Sequence, residues 1–173
     1  MGRSERETTG NVRGKRMAGP THEDHPIASN KKARFNYEIL ETVEAGLLLL
    51  GSEVKSLRDR QASISDAFAR IEGGEAWLYN FDITPYKQAG PSGDHAPKRK
   101  RKLLLHSREI EKLAGKTSER GLTIVALKVY FNHRGFAKVL LGVARGKSTH
   151  DKRENIKKRD AKREMDRGYG RRR

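Results

Sequence analysis

The chain has 173 residues and carries 38 Lys and Arg against 22 Asp and Glu, a formal net charge of +16 at pH 7. Such a surplus of positive charge attracts polyanions through counterion release and electrostatic steering, so nucleic acid is the first candidate partner and an anionic membrane surface the second. The absence of cysteine excludes disulfides and cysteine-ligated zinc. No apolar run reaches the roughly 18 residues that a bilayer span requires, and no secretory signal is evident, so we expect a cytoplasmic protein.

Composition divides the chain into three regions. Residues 1–29 have few large apolar side chains and cannot bury enough surface to offset the entropy of ordering, so they are predicted to be a disordered arm. Residues 30–145 contain every Phe and the one Trp, and they are the predicted folded domain. Residues 146–173 are a basic C-terminal tail with twelve Lys and Arg against five Asp and Glu.

Short strands separated by turn residues dominate the folded domain. A first strand is predicted from Phe35 toward Val43. Residues 64–71 and 76–83 flank Gly73-Gly74, which is typical of a tight hairpin. Residues 122–131 and 136–143 flank a second turn at 132–135. Strict alternation over 122–131 puts one set of side chains on one face and a second set on the other: Thr123, Val125, Leu127 and Val129, against Ile124, Ala126, Lys128 and Tyr130.

Two short helices accompany these strands. Ser107 is a suitable N-cap for a helix whose inner face comprises Ile110, Leu113 and Ala114. A second helical turn is predicted over 53–58. Repeated short strands with one or two helices indicate a mainly β fold, a small antiparallel barrel that is closed or nearly closed.

The tail has fair helix propensity but no apolar stripe that could dock on the barrel. Ser148 and Asp151 are spaced as a capping pair, and Glu154 and Lys158 as a favourable i,i+4 ion pair. Isolated helices of this length are marginal in water. We therefore predict a tail that is disordered when free and helical on RNA.

Two basic segments are candidates for phosphate contact. The segment 30–34 carries three cations just before the first strand, and a solvated entry to the domain is an equally good interpretation. The run 98–102 comprises five consecutive cations after Pro97, in what we interpret as a loop. Charge runs are commonly solvated, but binding residues often lie on loops, so RNA contact is favoured.

Glu44 stands out because it is an acid in a basic chain. Phosphate repels a carboxylate, whereas base amino groups and the ribose 2′-hydroxyl can donate hydrogen bonds to it. Glu44 therefore indicates specific reading of RNA in addition to electrostatic attraction. Nearby Gly46 and Gly51 permit a bend or a close backbone approach along a long strand, which would also suit a bulged barrel strand.

Sequence patterns of catalysis are missing. The six His do not fall in a metal-binding spacing, although His22 and His25 flank two acids and could form a weak adventitious site. Gly146-Lys147-Ser148 is similar to the end of a phosphate-binding loop, but position 141, where that loop needs Gly, is Leu. We therefore expect no enzyme activity, no cofactor and no metal site.

Seven blocks of this sequence, taken in order, resemble the small protein B family, the SsrA-binding proteins of trans-translation. The resemblance covers about Asn30 to Asp166, and several blocks are too long to arise from barrel patterning alone. The blocks are Glu44-Ala-Gly-Leu, Glu53-Val-Lys-Ser-Leu-Arg, Ile64-Ser-Asp, Ile83-Thr-Pro, Arg101-Lys-Leu-Leu-Leu, Gly142-Val-Ala and Gly146-Lys with His150-Asp-Lys-Arg.

The resemblance implies an oligonucleotide/oligosaccharide-binding-type antiparallel barrel with flanking short helices. It also implies that the protein binds the tRNA-like domain of transfer-messenger RNA (SsrA RNA) and delivers it to stalled 70S ribosomes. There the tail occupies the empty mRNA channel, and the nascent peptide is tagged for degradation. Elongation factor Tu and alanyl-tRNA synthetase are implied partners through the RNA.

The resemblance also carries over to single residues. The positions that match the family's RNA surface are Asn30, Glu44, Leu104 and Lys138. Neighbouring cations are expected to support them: Lys31, Arg34, Lys55, Arg99, Arg101 and Lys102. The tail motif, expected to contact the ribosome, is matched by Gly146, Lys147, His150, Asp151, Lys152 and Arg153. The N-terminal arm is longer than the family usually has.

Two other classes stay open on composition. A structural ribosomal protein could combine a small barrel with a basic extension, but it would sit on every ribosome, whereas an adaptor is enriched on stalled ones. An RNA-modifying enzyme is disfavoured because the sequence has no nucleophile–base or cofactor pattern.

Overall fold

A computed structural model describes residues 26–86 and 95–149, together with residues 151, 153, 156, 161 and 165. The predicted N-terminal arm therefore lies outside the described residues as far as residue 25. Among the residues described, no helix is long and apolar enough to cross a membrane. No group of three or more metal-ligating side chains occurs within the same residues.

The described part of the domain contains nine strands and three helices. The strands are β1 (Ala28–Ser29), β2 (Tyr37–Leu47), β3 (Ala62–Ser63), β4 (Phe68–Glu72), β5 (Glu75–Tyr79), β6 (Asp82–Ile83), β7 (Arg101–Leu104), β8 (Leu122–Phe131) and β9 (Ala137–Gly146). The helices are α1 (Ala33–Asn36), α2 (Gly51–Arg58) and α3 (Ser107–Thr117).

Six of these strands form a closed ring. The order is β8-β4-β5-β7-β2-β9, and β9 pairs back with β8, so the sheet has no open edge there. Every pairing is antiparallel, and β3 and β6 form a separate two-stranded sheet. The prediction of a mainly β, barrel-type fold is confirmed.

The apolar core fills the ring and continues under the helices. Ala45, Leu78, Ile124 and Val139 are fully buried inside the barrel. Leu113 of α3 is 2% exposed and packs into the same cluster, as the predicted inner face of that helix required. Ser107 was predicted as the N-cap, but the N-cap is His106 and the helix begins at Ser107. The His106 N–H donates a hydrogen bond to the Glu109 carboxylate.

Both predicted hairpins are present. Gly73 and Gly74 join β4 to β5 with φ of +57° and +76°, a region that glycine occupies without strain. The outer parts of the predicted strands, around Ile64 and Ile83, instead belong to the flanking β3–β6 segment. The second hairpin joins β8 to β9, and β9 runs on to Gly146, beyond the predicted end of that strand.

Alternation along β8 is broken, so the predicted division of its faces is wrong in the second half. The register of β8 against β9 shifts between Ala126 and Lys128. A bulge inserts one residue and reverses which side chains face inward. Ile124, Ala126 and Val129 consequently share the core, although the alternation had put Val129 opposite the other two.

The ends of the domain differ from the predicted boundaries. Ala28 and Ser29, predicted as arm, form β1 against β8. Phe35, predicted as the start of the first strand, lies in the single turn of α1. Gly146, predicted as tail, is the last residue of β9 and pairs with Tyr37. The barrel therefore includes residues on both sides of the range 30–145.

Candidate RNA-binding surface

Four strands bring one residue each to a single row on the barrel. Tyr130 of β8 pairs with Lys138 of β9, Lys138 pairs with Gly46 of β2, and Gly46 pairs with Leu104 of β7. Since Gly46 has no side chain, Leu104 lies over it; a Cβ at that position would be 3.2 Å from the Leu104 Cβ. Leu104 is 52% exposed. The row thus presents an apolar side chain beside a cation.

Glu44 lies two residues before Gly46 and is connected to the row by both carboxylate oxygens. Its Oε2 accepts a hydrogen bond from the Tyr130 hydroxyl, and its Oε1 lies 3.0 Å from the Lys138 Nζ. Tyr130 is buried, and the Lys128 Nζ lies 4.9 Å from the centroid of its ring. Glu44 and Lys138 keep 38% and 29% of their side-chain surface exposed. Both groups can therefore meet a ligand while they contact each other.

The ionisation of Glu44 follows from these neighbours. Partial burial raises the pKa of Glu44, but hydrogen bonds from Tyr130 and Lys138 and the charge of Lys128 outweigh it, so the pKa lies below the ordinary value of 4.5. The carboxylate is charged at neutral pH and has only acceptor oxygens. It can accept hydrogen bonds from base amino groups or ribose hydroxyls, and it disfavours a phosphate directly against it.

Part of this row borders an open depression of about 1050 Å³ between β2, β7 and α3. Glu44, Lys102, Leu104 and Lys138 all contribute to its wall, whereas Asn30, which the resemblance grouped with three of them, does not. Lys102 forms an ion pair with Glu75 that leaves about a third of its side chain exposed.

The basic run 98–102 is a different feature from the predicted loop. Arg101 and Lys102 begin β7, and the side chain of Arg101 is fully buried. Its guanidinium donates hydrogen bonds to Glu53 Oε1 at 2.9 Å and to the carbonyl oxygens of Pro97 and Arg99, each at 3.0 Å. The expectation that Arg101 contacts RNA is therefore wrong: its charge holds the barrel together and is not presented at the surface.

Glu53 is the centre of this buried network. Arg99 donates to both of its carboxylate oxygens, at 2.8 and 2.6 Å, and the Leu50 N–H donates to Oε2 at 2.8 Å. Burial raises the pKa of Glu53, but the hydrogen bonds from Arg99 and Leu50 and the charge of Arg101 have the larger, opposite effect. The pKa of Glu53 therefore lies below its ordinary value of 4.5. Arg99 therefore has a structural partner, and 30% of its side chain is exposed.

Lys98 and Lys100 are the two members of the run that the structure leaves exposed. The Lys100 Nζ lies 4.8 Å from the centroid of the Trp77 ring. Lys98 lies 3.9 Å from Asp82, a distance at which a surface ion pair contributes little. RNA contact by this run stays a prediction for Lys98, Lys100, Lys102 and the exposed part of Arg99.

The segment around Asn30 lies at another depression, of about 370 Å³, which Asn36, Tyr37 and Ser65 help to line. The Asn30 Nδ2 donates to the Ser65 carbonyl at 3.0 Å, while its Oδ1 is buried and has no partner among the residues the structure describes. Asn30 therefore ties the entry of the domain to the barrel. RNA contact by this residue and by exposed Lys31 and Arg34 stays a prediction, as it does for Lys55, which is exposed with its Nζ 5.4 Å from the Tyr86 ring.

The start of the tail is fixed to the barrel. The Lys147 N–H donates to the Asn36 carbonyl at 3.0 Å, and its Nζ donates to the Arg34 carbonyl at 2.9 Å. The Ser148 N–H and hydroxyl donate to Asp151 Oδ2 at 3.1 and 2.8 Å, and the Asp151 N–H donates back to the Ser148 hydroxyl at 3.2 Å. The predicted capping pair is confirmed.

The described residues beyond this cap are helical, and Arg153 is exposed. His150 and Lys152 of the predicted ribosome-contacting motif lie outside the described residues. Whether the tail is helical without RNA stays a prediction.

Comparison with known proteins places this architecture in a family. The pattern of the family described as "SmpB protein" matches residues 27–171. The chain belongs to the SmpB protein family.

Relatives from distant bacteria agree with this assignment. The SsrA-binding protein of Thermosynechococcus vestitus is 55% identical over 141 residues, which is 82% of this chain and 92% of that protein. The SsrA-binding protein of Mycobacterium sp. strain KMS is 53% identical over 159 residues, 92% of this chain and 94% of its own. A solved chain described as "tmRNA-SmpB: a journey to the center of the bacterial ribosome" has a TM-score of 0.61 and 52% identity, and the match covers 74% of this chain and 92% of that one.

The sequence did not predict the roles of two residues of this SmpB family member, one in the surface and one in the network that supports it. Tyr130 was placed on a strand face without a role, and Glu53 was noted only within a motif. A buried Tyr hydroxyl needs a hydrogen-bond partner, and this requirement was the available signal for Tyr130. The sequence offered no comparable signal for Glu53, because its partners lie 46 and 48 residues away.

Proposed function

We propose that this SmpB family member binds the tRNA-like domain of transfer-messenger RNA and delivers it to stalled ribosomes for trans-translation. The observation that carries the proposal is the single surface formed by Glu44, Lys138 and Leu104 on a barrel of high positive charge. Relatives named SsrA-binding protein and a solved neighbour described with tmRNA in the ribosome support it.

The surface combines three recognition chemistries. Lys138 supplies charge for phosphate, Leu104 supplies an apolar contact for a base or ribose, and Glu44 accepts hydrogen bonds from base edges or hydroxyls. Because Glu44 is held by Tyr130 and Lys138, its oxygens are fixed before RNA arrives. An acceptor in a fixed position favours an RNA that places a hydrogen-bond donor at that position, whereas the net charge attracts any RNA.

The tail supplies the second half of the function. We propose that it occupies the empty mRNA channel of the stalled ribosome, with the motif 146–153 in contact with ribosomal RNA, so that the nascent peptide is tagged for degradation. Support comes from the start of the tail: Lys147 is bonded to the barrel, and the Ser148–Asp151 cap begins a helix directly after it. A helix that starts at the barrel has its direction set by the barrel.

We propose that the protein acts as an adaptor without catalysis and without a cofactor. Elongation factor Tu and alanyl-tRNA synthetase would then meet it through the shared RNA, in the cytoplasm where ribosomes work.

A paired measurement tests this division between barrel and tail. Deletion should begin at residue 148, because Gly146 and Lys147 are bonded to the barrel. The shortened protein loses eleven Lys and Arg and five Asp and Glu, so its non-specific RNA affinity should fall, most strongly at low salt. Its binding to the tRNA-like domain should survive, and peptide tagging on stalled ribosomes should fail.

Two results would contradict the proposal. Normal tagging by the shortened protein would reduce the tail to a solvated charge run. Loss of all binding to the tRNA-like domain, in a protein that still unfolds cooperatively, would show that the barrel does not carry recognition. Sequencing the RNA that copurifies with the full chain gives an independent check, since transfer-messenger RNA should be enriched over other RNA.

A further inference from the structure

The turn between β8 and β9 holds an aromatic ring out in solvent. Phe136 is 64% exposed, one of the two highest values among the large apolar side chains that the structure describes as exposed. An exposed ring gains nothing from burial. An apolar side chain that an ordered backbone holds in solvent therefore indicates a contact with a binding partner.

Hydrogen bonds close this turn. Asn132 Oδ1 accepts from the N–H groups of Arg134 and Phe136, at 3.1 and 2.8 Å. The Asn132 N–H donates to the Phe136 carbonyl at 3.0 Å, the Gly135 N–H donates to the Asn132 carbonyl at 2.9 Å, and Gly135 has a φ of +79°. The ring of Phe136 is consequently presented on an ordered tip with little backbone entropy left to lose on binding.

The tip leads directly into β9, the strand that carries Lys138 of the candidate RNA-binding surface. Phe136 is the residue immediately before β9, and Lys138 is the second residue of that strand. Lys138 is the cation paired with Glu44, and Arg134 on the tip is exposed. No acidic residue occurs between positions 131 and 140. The aromatic residue thus has one cation two positions before it in the sequence and another two positions after it.

We propose that Phe136 is a stacking platform for an unpaired base of the bound RNA, with Arg134 and Lys138 on the phosphates that flank that base. This inference rests on the proposed function and extends its surface beyond the residues that the family resemblance names. Every base offers a π face to an aromatic ring, and unpaired bases in RNA loops are commonly held this way. The flanking cations favour a nucleotide over an apolar protein segment, which would leave those charges without partners.

Three substitutions separate stacking from simple apolar contact. Phe136→Ala should weaken binding to a transcript of the tRNA-like domain by about 5- to 150-fold, the range measured when a stacked aromatic is removed. Phe136→Tyr keeps the ring and should bind within about 2-fold of the unaltered protein. Phe136→Leu keeps apolar area without a π face and should resemble the Ala variant.

The control is Leu40→Ala, which removes an apolar side chain that is also exposed, at 48%, but lies outside the surface. It should leave RNA affinity unchanged. All four variants should unfold at nearly the same temperature as the unaltered chain because neither side chain belongs to the core.

The outcomes discriminate clearly. Equal affinity of Phe136→Ala and the unaltered protein for the transcript overturns the inference, and so does full affinity of Phe136→Leu. A loss confined to binding of stalled ribosomes, with transcript affinity intact, also overturns it and assigns the ring to a ribosomal partner. If the unaltered protein itself does not prefer the tRNA-like domain over an unrelated RNA, the proposed function fails instead.

Discussion

Replacing Arg101 by Met should strongly destabilise the barrel, although Arg101 lies within a run of five cations that resembles a surface feature. Met has a similar length but leaves Glu53 without one of its two cationic partners. It also removes the donors to the carbonyl oxygens of Phe81, Pro97 and Arg99. Breaking a buried ion pair by removing one member costs about 3–5 kcal/mol. For a domain of this size that corresponds to a fall in Tm of about 10–30 °C.

The assay is thermal and urea unfolding of Arg101→Met beside Lys100→Met. The second variant removes the same charge from the adjacent, exposed position and should change the free energy of unfolding by less than about 0.5 kcal/mol. RNA binding should show the opposite order. Below its unfolding temperature Arg101→Met should keep the salt dependence of the unaltered chain, while Lys100→Met should lower the slope by about 0.7–0.9 if Lys100 contacts a phosphate. Equal Tm values for the two variants would refute the structural role of Arg101.

Acid should destabilise the protein through Glu53. The pKa of Glu53 is lowered by folding, so its contribution is complete above the unfolded value near 4.5 and is lost as pH falls through the lower folded pKa. Urea unfolding between pH 6 and 3 should show this loss, and Glu53→Gln should flatten the pH dependence; an equally steep profile for that variant would contradict the assignment. Gly142→Ala should cost about 1–3 kcal/mol, because its Cβ would lie 3.1 Å from Leu127 and 3.2 Å from Ile39, whereas Gly146→Ala meets nothing within 4 Å. Equal unfolding temperatures of these two Ala variants would show that the interior around Gly142 can yield.

Features that depend on local sequence were predictable. Gly73-Gly74 indicated a tight turn because two consecutive residues with positive φ favour glycine, and the Ser148–Asp151 cap followed from spacing alone. The helical stripe of α3 was equally clear from Ile110 and Leu113. In each case the physical cause acts within about four residues, so the sequence displays it directly.

Features that depend on distant partners were not predictable. The five cations 98–102 look alike in sequence, and only the approach of Glu53 makes Arg101 a core residue. The bulge in β8 left no recognisable signal either, and it reversed the facing of Val129. The family resemblance named Glu44 and Lys138, but their contact arises from the register of β2 on β9.

We propose that recognition depends on a contact that exists before RNA binds. Glu44 Oε1 lies 3.0 Å from Lys138 Nζ, and the Tyr130 hydroxyl donates a hydrogen bond to Glu44 Oε2. In the proposed function, RNA would meet an acceptor and a cation whose positions are already set. Residues in direct contact are expected to show non-additive effects when both are changed.

The most direct test measures the Kd of the tRNA-like domain for Glu44→Gln, Lys138→Met and the double variant, with Glu111→Gln as an exposed control on α3. Each single change should raise Kd by about 10- to 150-fold, the equivalent of losing a charge-assisted hydrogen bond worth about 1.5–3 kcal/mol. The double variant should raise Kd by less than the product of the two single effects, and the control should bind normally. Unchanged Kd values for both single variants, in proteins that unfold as the unaltered chain does, would contradict the claim that this surface recognises the RNA.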